Sequence, residues 1–461
     1  MTQHKIVKIP DWVLPDVENY LTDVGKGGWE LVHVYNQHAY MKATAGGAGT
    51  IVSGNLATNL DAFGRLRTTD TYTLGDYKHL YAIDYNFEDY HVSGASTTFN
   101  VNRASVTLAT SASADSRTVH QTKMYHNYMP GKSQYIMSSF NFGAAVSGVI
   151  KRTGYFDDYN GIFLEQDQTG SLQFVVRSAT NGTASLQENR VKQVDWSVNT
   201  LLGGDVVLDI TKAQLFWIDF QWLSIGRIRC GFVINGANIL CHVFDHSNKT
   251  TGAYMSSPNL PVRCEIRNTT TATGSMEQIC ATVMSEGGYD ESGTTYAHTS
   301  NKFRILSGSE SALIMAIRLK TSYNGLPNRA FVRLEDMSVY SDDQTVKYTV
   351  LKLESGSVTG GTWFSEDSGS VVEWNSGSMA YDASRAHEML NGFVAAGTAG
   401  AGGGPGTGFS STSQRQGSKN KINYIAQNYD STSSEMYGIV VTNLTGTNTD
   451  VIASIVWKEV Y

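Results

Sequence analysis

The sequence is poor in charge and proline, and it contains no long apolar run. Charged residues make up 17% of the 461 residues, and 42 acidic against 35 basic residues leave a net charge of -7. Tight nucleic-acid binding needs several Lys or Arg on one face to neutralise phosphates, and no such cluster is present. No stretch reaches the roughly 18 apolar residues of a membrane span. Nucleic-acid partners and a membrane span are therefore not expected.

Cysteine is also scarce, with 4 residues in the whole chain. They form no CxxC pair, and no histidine lies at zinc-ligand spacing from two of them. A free cysteine behaves as a small hydrophobic residue. We therefore expect four buried free thiols, at Cys230, Cys241, Cys264 and Cys280.

Glycine and tyrosine are abundant, with 45 and 24 residues, while proline occurs only 7 times. Short alternating apolar segments separated by turn residues predict strands. The clearest lie at 171–178, 206–210, 215–223, 225–234 and 239–245, and residues 235–238 (NGAN) predict a hairpin between the last two. The sequence therefore predicts a mainly β fold whose central part is a lectin-like or jelly-roll β-sandwich.

The pattern also predicts how the chain is divided. Residues 1–43 favour a small β-α-β-β module with strands near 6–9, 29–34 and 38–41 and a helix over 12–24. Residues 44–60 have linker composition. The sandwich is expected over 61–344 and a C-terminal β domain over 345–461, where 383–390 is a candidate helix. A Gly-rich loop at 395–421 has the composition of a disordered segment, which a neighbouring chain would have to order.

Most catalytic and metal motifs are absent, and one acidic cluster is the best candidate site. No nucleophile elbow, zinc-protease motif, phosphate loop or Rossmann fingerprint occurs. His242 and His246 lie four apart, but in a strand and turn rather than on one helical face. The candidate ligand or ion residues are Asp157, Asp158, Asn160 and Glu165. Three interpretations stay open: a structural turn, a Ca²⁺ or sugar contact, and a catalytic acid and base.

Two segments carry family resemblances. Residues 20–32 (YLTDVGKGGWELV) resemble the GWELV signature of small bacterial and phage domains of unknown function. Residues 61–67 (DAFGRLR), 152–165 (RTGYFDDYNGIFLE) and 216–223 (FWIDFQWL) resemble, in this order, a family of structural proteins of tailed-bacteriophage virions. Gln221 and Ser224 depart from that pattern, which has Glu and Gly there. The match spans about residues 61–270.

The second resemblance implies a lectin-like sandwich and residence in the virion. We therefore expect a non-enzymatic virion protein made in the host cytoplasm, a head or tail fibre that docks by its N-terminal module. A capsid decoration or collar protein and a tail-associated polysaccharide depolymerase are the alternatives. Expected partners are further copies in a trimer, other virion proteins and host-surface glycan. No cofactor is expected apart from candidate Ca²⁺. The candidate assembly residues are Trp12, Trp29, Arg65 and Arg67.

Overall fold

The computed structural model describes most of the chain beyond residue 70. The described residues are 4–8, 29–35, 38–43, 61–62, 71–204, 206–289, 293–300, 304–342, 344–366, 368–395, 408–413 and 424–460. By internal contacts the chain divides into two compact units, Met1–Ala57 and Thr58–Tyr461.

The first unit contains a small antiparallel sheet. Its strands are β1 His4–Lys8, β2 Trp29–Tyr35 and β3 His38–Ala43, in the order β1-β3-β2. The three strands predicted for the N-terminal module are confirmed. The predicted helix over 12–24 and the linker over 44–60 lie outside the described residues.

The second unit begins with a sandwich of two antiparallel sheets. Its strands are β4 Tyr72–Lys78, β5 Phe87–Val92, β6 Ser96–Asn100, β7 Ser105–Ala109, β8 Arg117–Thr122, β9 Gln134–Asn141, β10 Val149–Phe156, β11 Gly161–Gln166, β12 Leu172–Ser178, β13 Gln187–Lys192, β14 Gln214–Phe220, β15 Ile228–Ile234, β16 Ala237–Phe244, β17 Val262–Asn268 and β18 Ser275–Ser285. One sheet has the order β13-β12-β11-β10-β17-β8-β5. The other has the order β16-β15-β14-β9-β18-β7-β6, with β4 paired to β18.

The core of the sandwich lies between these two sheets. Alternate residues of each strand point inward, because successive side chains of a strand project to opposite faces. Phe174 and Val176 from one sheet and Phe216, Ile218 and Phe232 from the other belong to one buried cluster. The central β-sandwich predicted from alternation is confirmed.

The predicted hairpin of β15 and β16 closes more tightly than expected. Ile234 pairs with Ala237, so only Asn235 and Gly236 form the turn. Both have a positive φ, 54° and 76°. A two-residue turn of this kind needs left-handed backbone at both positions, which Asn and Gly tolerate.

The remaining strands build a second β block. They are β19 Thr294–Thr299, β20 Arg304–Leu306, β21 Ser311–Leu319, β22 Ser322–Tyr323, β23 Leu326–Pro327, β24 Phe331–Ser341, β25 Val346–Leu353, β26 Val358–Gly360, β27 Phe364–Ser365, β28 Val372–Asn375, β29 Met379–Tyr381, β30 Ala386–Val394, β31 Gly408–Ser413, β32 Tyr424–Ile425, β33 Met436–Asn443 and β34 Thr449–Val460. One sheet is centred on β34 and β24, and the other on β21, β33 and β25. A second buried cluster, which includes Ile317, Val339, Ile439 and Trp457, belongs to this block.

Three details of the second unit differ from the predictions. Strands β19, β20, β21 and β24 pair with strands that follow residue 345, so the strand pairing changes from the sandwich to the second block near residue 290 and not at 344. The prediction of a helix at 383–390 is wrong, because Ala383–Arg385 is a 3₁₀ turn and β30 follows it. The strand predicted at 206–210 is also wrong, since its described residues have no strand pairing.

The Gly-rich segment and the cysteines also depart from expectation. Within 395–421, β31 pairs with β24 of the same chain. The three cysteines of the sandwich interior are buried free thiols, as predicted, but Cys280 is exposed. It is on the side of β18 opposite the core. In the part of the chain that the structure describes, no helix is long and apolar enough to cross a membrane.

Candidate functional site

The predicted acidic cluster lies in and beside the turn between β10 and β11, and its members have different structural roles. Asp157 accepts hydrogen bonds from the backbone amides of Tyr159 and Asn160, at 2.8 and 2.7 Å. This closes an Asx turn, the structural role open to such a sequence. Burial raises the pKa of the Asp157 carboxyl.

Asp158 and Glu165 belong to a continuous network of charges on the outer face of the seven-stranded sheet. Glu165 pairs with Arg152 at 2.6 Å and with Arg190, and Asp158 pairs with Arg117 at 2.7 Å and Arg263 at 2.9 Å. The network contains five arginines and four carboxylates, which are Arg117, Arg152, Arg177, Arg190, Arg263, Asp158, Glu165, Glu188 and Glu265.

The centre of this network is Glu265, which joins its two halves. Glu265 is 1% exposed and receives ion pairs from Arg117, Arg152 and Arg263 at 2.7–3.0 Å. Although burial opposes ionisation, these guanidiniums hold the pKa of Glu265 well below its usual range. A buried carboxylate stays charged only when it is paired in this way.

Asp158 also links the sandwich to the second β block. Partial burial would raise the pKa of Asp158, but Arg263 and Arg117 lower it to about 2. The Tyr429 hydroxyl donates a hydrogen bond to the Asp158 carboxylate, and its backbone amide donates to Glu88 at 3.0 Å. The Arg263 guanidinium lies over the Tyr429 ring, 5.0 Å from its centroid. Both oxygens of the Asp158 carboxylate thus have protein partners.

A separate cleft lies at one corner of the sandwich, with a volume of about 770 Å³. One wall is the inward face of β12 and β13, where Ser178 pairs with Gln187 and Val176 with Asn189. The opposite wall is the loop over 246–256, which follows β16. The apolar filling of the core stops at Val176, and polar side chains line the space beyond it.

The lining of the cleft is mainly polar, and among the described residues it contains no Asp, Glu, Lys or Arg. Three amides line it, those of Asn181, Gln187 and Asn189. Five serine and threonine side chains also line it, which are Ser178, Thr180, Thr250, Thr251 and Ser256. A cleft of this size is in the range of small-ligand sites.

Two aromatic rings, those of His246 and Tyr254, belong to the lining. The His246 and Tyr254 rings are stacked, with centroids 4.1 Å apart and planes inclined by 14°. His246 Nδ1 donates to the Gly226 carbonyl at 2.7 Å, because a carbonyl oxygen can only accept. Burial lowers the pKa of His246, which favours the neutral ring, and in that form Nε2 is an acceptor.

Asn160 connects the predicted cluster to this cleft. Its side-chain oxygen accepts from the backbone amide and the hydroxyl of Ser256, at 2.9 and 3.1 Å, and from the Ala179 amide at 3.3 Å. Ser256 belongs to one wall, and Ala179 follows β12 in the other. Asn160, 4% exposed, therefore holds the two walls together. Its role therefore differs from the roles of Asp157, Asp158 and Glu165.

For the remaining predicted site residues, the structure describes no side-chain position. Trp12, Arg65 and Arg67 lie outside the described residues, and Trp29 is described only as the first residue of β2. No three His, Cys, Asp or Glu side chains gather to hold a metal within the described ranges. The Ca²⁺ and assembly assignments stay predictions.

The cleft residues of β13 were missed by sequence reasoning, although a signal was present. In the run 187–192 (QENRVK), charged residues alternate with uncharged ones, and the uncharged positions face inward. Gln187 and Asn189 are therefore amides at positions where a core strand would have apolar residues. The other wall, including His246, has no local signal of this kind.

Comparison with known proteins finds no matching family model and no matching curated protein. Among solved structures, a glycoside hydrolase family 16 protein from Bacteroides ovatus aligns with TM-score 0.32 and 10% identity, covering 46% of this chain and 99% of that chain. A carbohydrate esterase of the Shiga toxin-encoding bacteriophage phi24B aligns with TM-score 0.29 and 12% identity, covering 47% and 99%. A legume lectin-like domain of Entamoeba histolytica aligns with TM-score 0.29 and 9% identity, covering 47% and 98%. The mainly β fold class predicted from the sequence, with a central sandwich of antiparallel sheets, is confirmed by the strand pairing.

Proposed function

We propose that this chain is a non-enzymatic structural protein of a bacteriophage virion. In this proposal it is a homotrimeric appendage of the head or tail, it docks on other virion proteins by its N-terminal unit, and its sandwich attaches to host-surface glycan. The order of the DAFGRLR, GYFDDYNGIFLE and WIDFQWL segments supports residence in a virion. The cleft at the corner of the sandwich supports attachment.

One observation carries the non-enzymatic part of the proposal. A glycosidase needs two carboxyl groups that flank the bond to be cleaved, about 5–9.5 Å apart and free to act. Here Asp158 and Glu165 are each paired with two arginines, and Asp157 closes a backbone turn. Among the residues that line the cleft, none is a carboxylate. The arrangement favours binding without cleavage.

Two measurements test this function. Mass spectrometry of particles purified from the phage that encodes this chain should find it in the particle, at a constant ratio to the major capsid protein. Reducing ends should not be released when the full chain is incubated with surface polysaccharide of the bacterium in which that phage grows. A chain found only outside the particles contradicts the virion role. Release that rises with protein concentration, and that disappears in a Glu165→Gln variant shown by circular dichroism to be folded, would establish the depolymerase instead.

A further inference from the structure

We infer that the cleft between β12–β13 and the loop over 246–256 binds an uncharged saccharide, in preference to acidic or amino sugars. This inference rests on the proposed function, because host-surface glycan supplies the ligand. It goes beyond that function by naming the site and the chemical class that the site selects.

The charge of the lining decides against acidic sugars. An ionised carboxylate that leaves water must be paired with a cation, or its desolvation costs several kcal/mol. In the described part of the chain, the lining contains no Lys or Arg that could pair with a carboxylate, and no Asp or Glu that could pair with an ammonium group. A uronic acid or an unacetylated amino sugar would thus lose hydration without gaining a partner.

Charged side chains do occur on the same strands, but they are directed elsewhere. Arg177 of β12 and Glu188 of β13 lie on the opposite face of the sheet and pair with each other at 2.8 Å. Next to the loop, Asp245 pairs with Arg227 at 2.6 Å. Within the loop, Lys249 is exposed and is not part of the lining of the cleft. The alternation along β13 therefore separates a charged outer face from an uncharged inner one.

The hydrogen-bonding groups of the lining match those of a sugar. Amide side chains both donate and accept, and so do hydroxyl groups. Sugar hydroxyls have the same double capacity, so Asn189, Gln187 and the threonine hydroxyls can pair with them without leaving a buried polar atom unpaired. Val176 and the rings of His246 and Tyr254, which are largely buried, supply the apolar part of the lining.

Saturation-transfer NMR on the full chain tests the inference. The probes are the neutral sugars glucose, galactose, mannose and N-acetylglucosamine, and the charged sugars glucuronate and glucosamine. The double variant Gln187→Ala/Asn189→Ala removes two amides from the cleft, whereas Lys192→Ala truncates an outward side chain of the same strand. All three positions lie on an exposed edge strand, so these variants should fold; circular dichroism confirms this before titration.

We expect saturation transfer to at least one neutral sugar and none to glucuronate or glucosamine. The double variant should raise the Kd of that neutral sugar about tenfold or more, since each lost hydrogen bond costs about 1 kcal/mol. Lys192→Ala should leave the Kd unchanged. The inference is overturned by transfer to no neutral sugar, by binding of a charged sugar as tight as that of any neutral one, or by an unchanged Kd in the double variant. If one of these results is obtained while mass spectrometry still finds the chain in purified particles, the inference about the cleft fails but the virion role stands.

Discussion

The side-chain oxygen of Asn160 accepts a hydrogen bond from the backbone amide of Ser256 over 2.9 Å, although 96 positions separate them in the chain. This bond joins the turn after β10 to the loop that forms one wall of the cleft. The same oxygen also receives the Ala179 amide, at the end of the other wall. One buried amide thus sets the spacing of both walls.

Replacing this amide should loosen the cleft. Asn160→Ala leaves the Ser256 and Ala179 amides without their acceptor, which we expect to lower the free energy of unfolding by about 1–3 kcal/mol. Urea denaturation followed by tryptophan fluorescence measures this. The control is Asn102→Ala, at an exposed position, which should change stability by less than about 0.5 kcal/mol. Equal effects of the two variants would show that Asn160 does not hold the walls.

Removing the central charge of the outer-face network should be far more costly. Glu265→Gln removes the buried carboxylate that Arg117, Arg152 and Arg263 share, and leaves these three cations with only Asp158 and Glu165 as acidic partners. The free energy of unfolding should therefore fall by about 3–5 kcal/mol. The matched control is Glu354→Gln, whose pair with Arg385 is 57% exposed on the acidic side and should contribute less than about 1 kcal/mol. Urea titrations of both variants at neutral pH give the comparison. A loss below 1 kcal/mol for Glu265→Gln would mean that the network contributes little to stability.

Stability should also depend on pH through Asp158. Its pKa is about 2 in the folded chain and near 3.8 without its partners, so the folded state holds the ionised form more strongly. The stabilising effect is complete above about pH 4 and is lost as the pH falls toward 2. Unfolding midpoints of the wild type and Asp158→Asn should therefore converge over this range. A difference that stays constant from pH 5 to pH 2 would contradict the lowered pKa.

The hydroxyl of Tyr429 should contribute to the contact between the sandwich and the second β block. Tyr429→Phe keeps the ring against Tyr90, at 4.6 Å between centroids, but removes the hydrogen bond to Asp158. Because the acceptor is ionised, we expect a loss of about 1.5–3 kcal/mol in the free energy of unfolding. Tyr81→Phe is the control, since Tyr81 is 93% exposed. Similar values for both variants would remove Tyr429 from the stabilising contacts.

The oligomeric state is the first measurement to make on the purified chain. If the proposed trimer forms in solution, light scattering should report three times the mass of one chain. A closed trimer can also protect sheet edges from uncontrolled pairing. A single-chain mass across a tenfold concentration range would contradict the trimer, and would favour the decoration or collar alternative.

The sequence by itself determined the local features of this protein. Alternation of apolar residues identified the strands and their inward faces, and Asn235 with Gly236 identified the hairpin, because these properties depend on neighbouring residues alone. It also singled out Asp157, Asp158, Asn160 and Glu165, but it could not assign their roles.

Only the tertiary structure decided which strands are neighbours, and hence what those side chains do. Alternation states on which face a residue lies, but not which distant strand pairs beside it. Asp158 contacts Arg263 only because β10 pairs with β17. This pairing places Asp158, a candidate site residue, in an ion network. In the same way, the cleft exists because the end of β12 and the loop containing His246, far apart in sequence, converge at one corner of the sandwich.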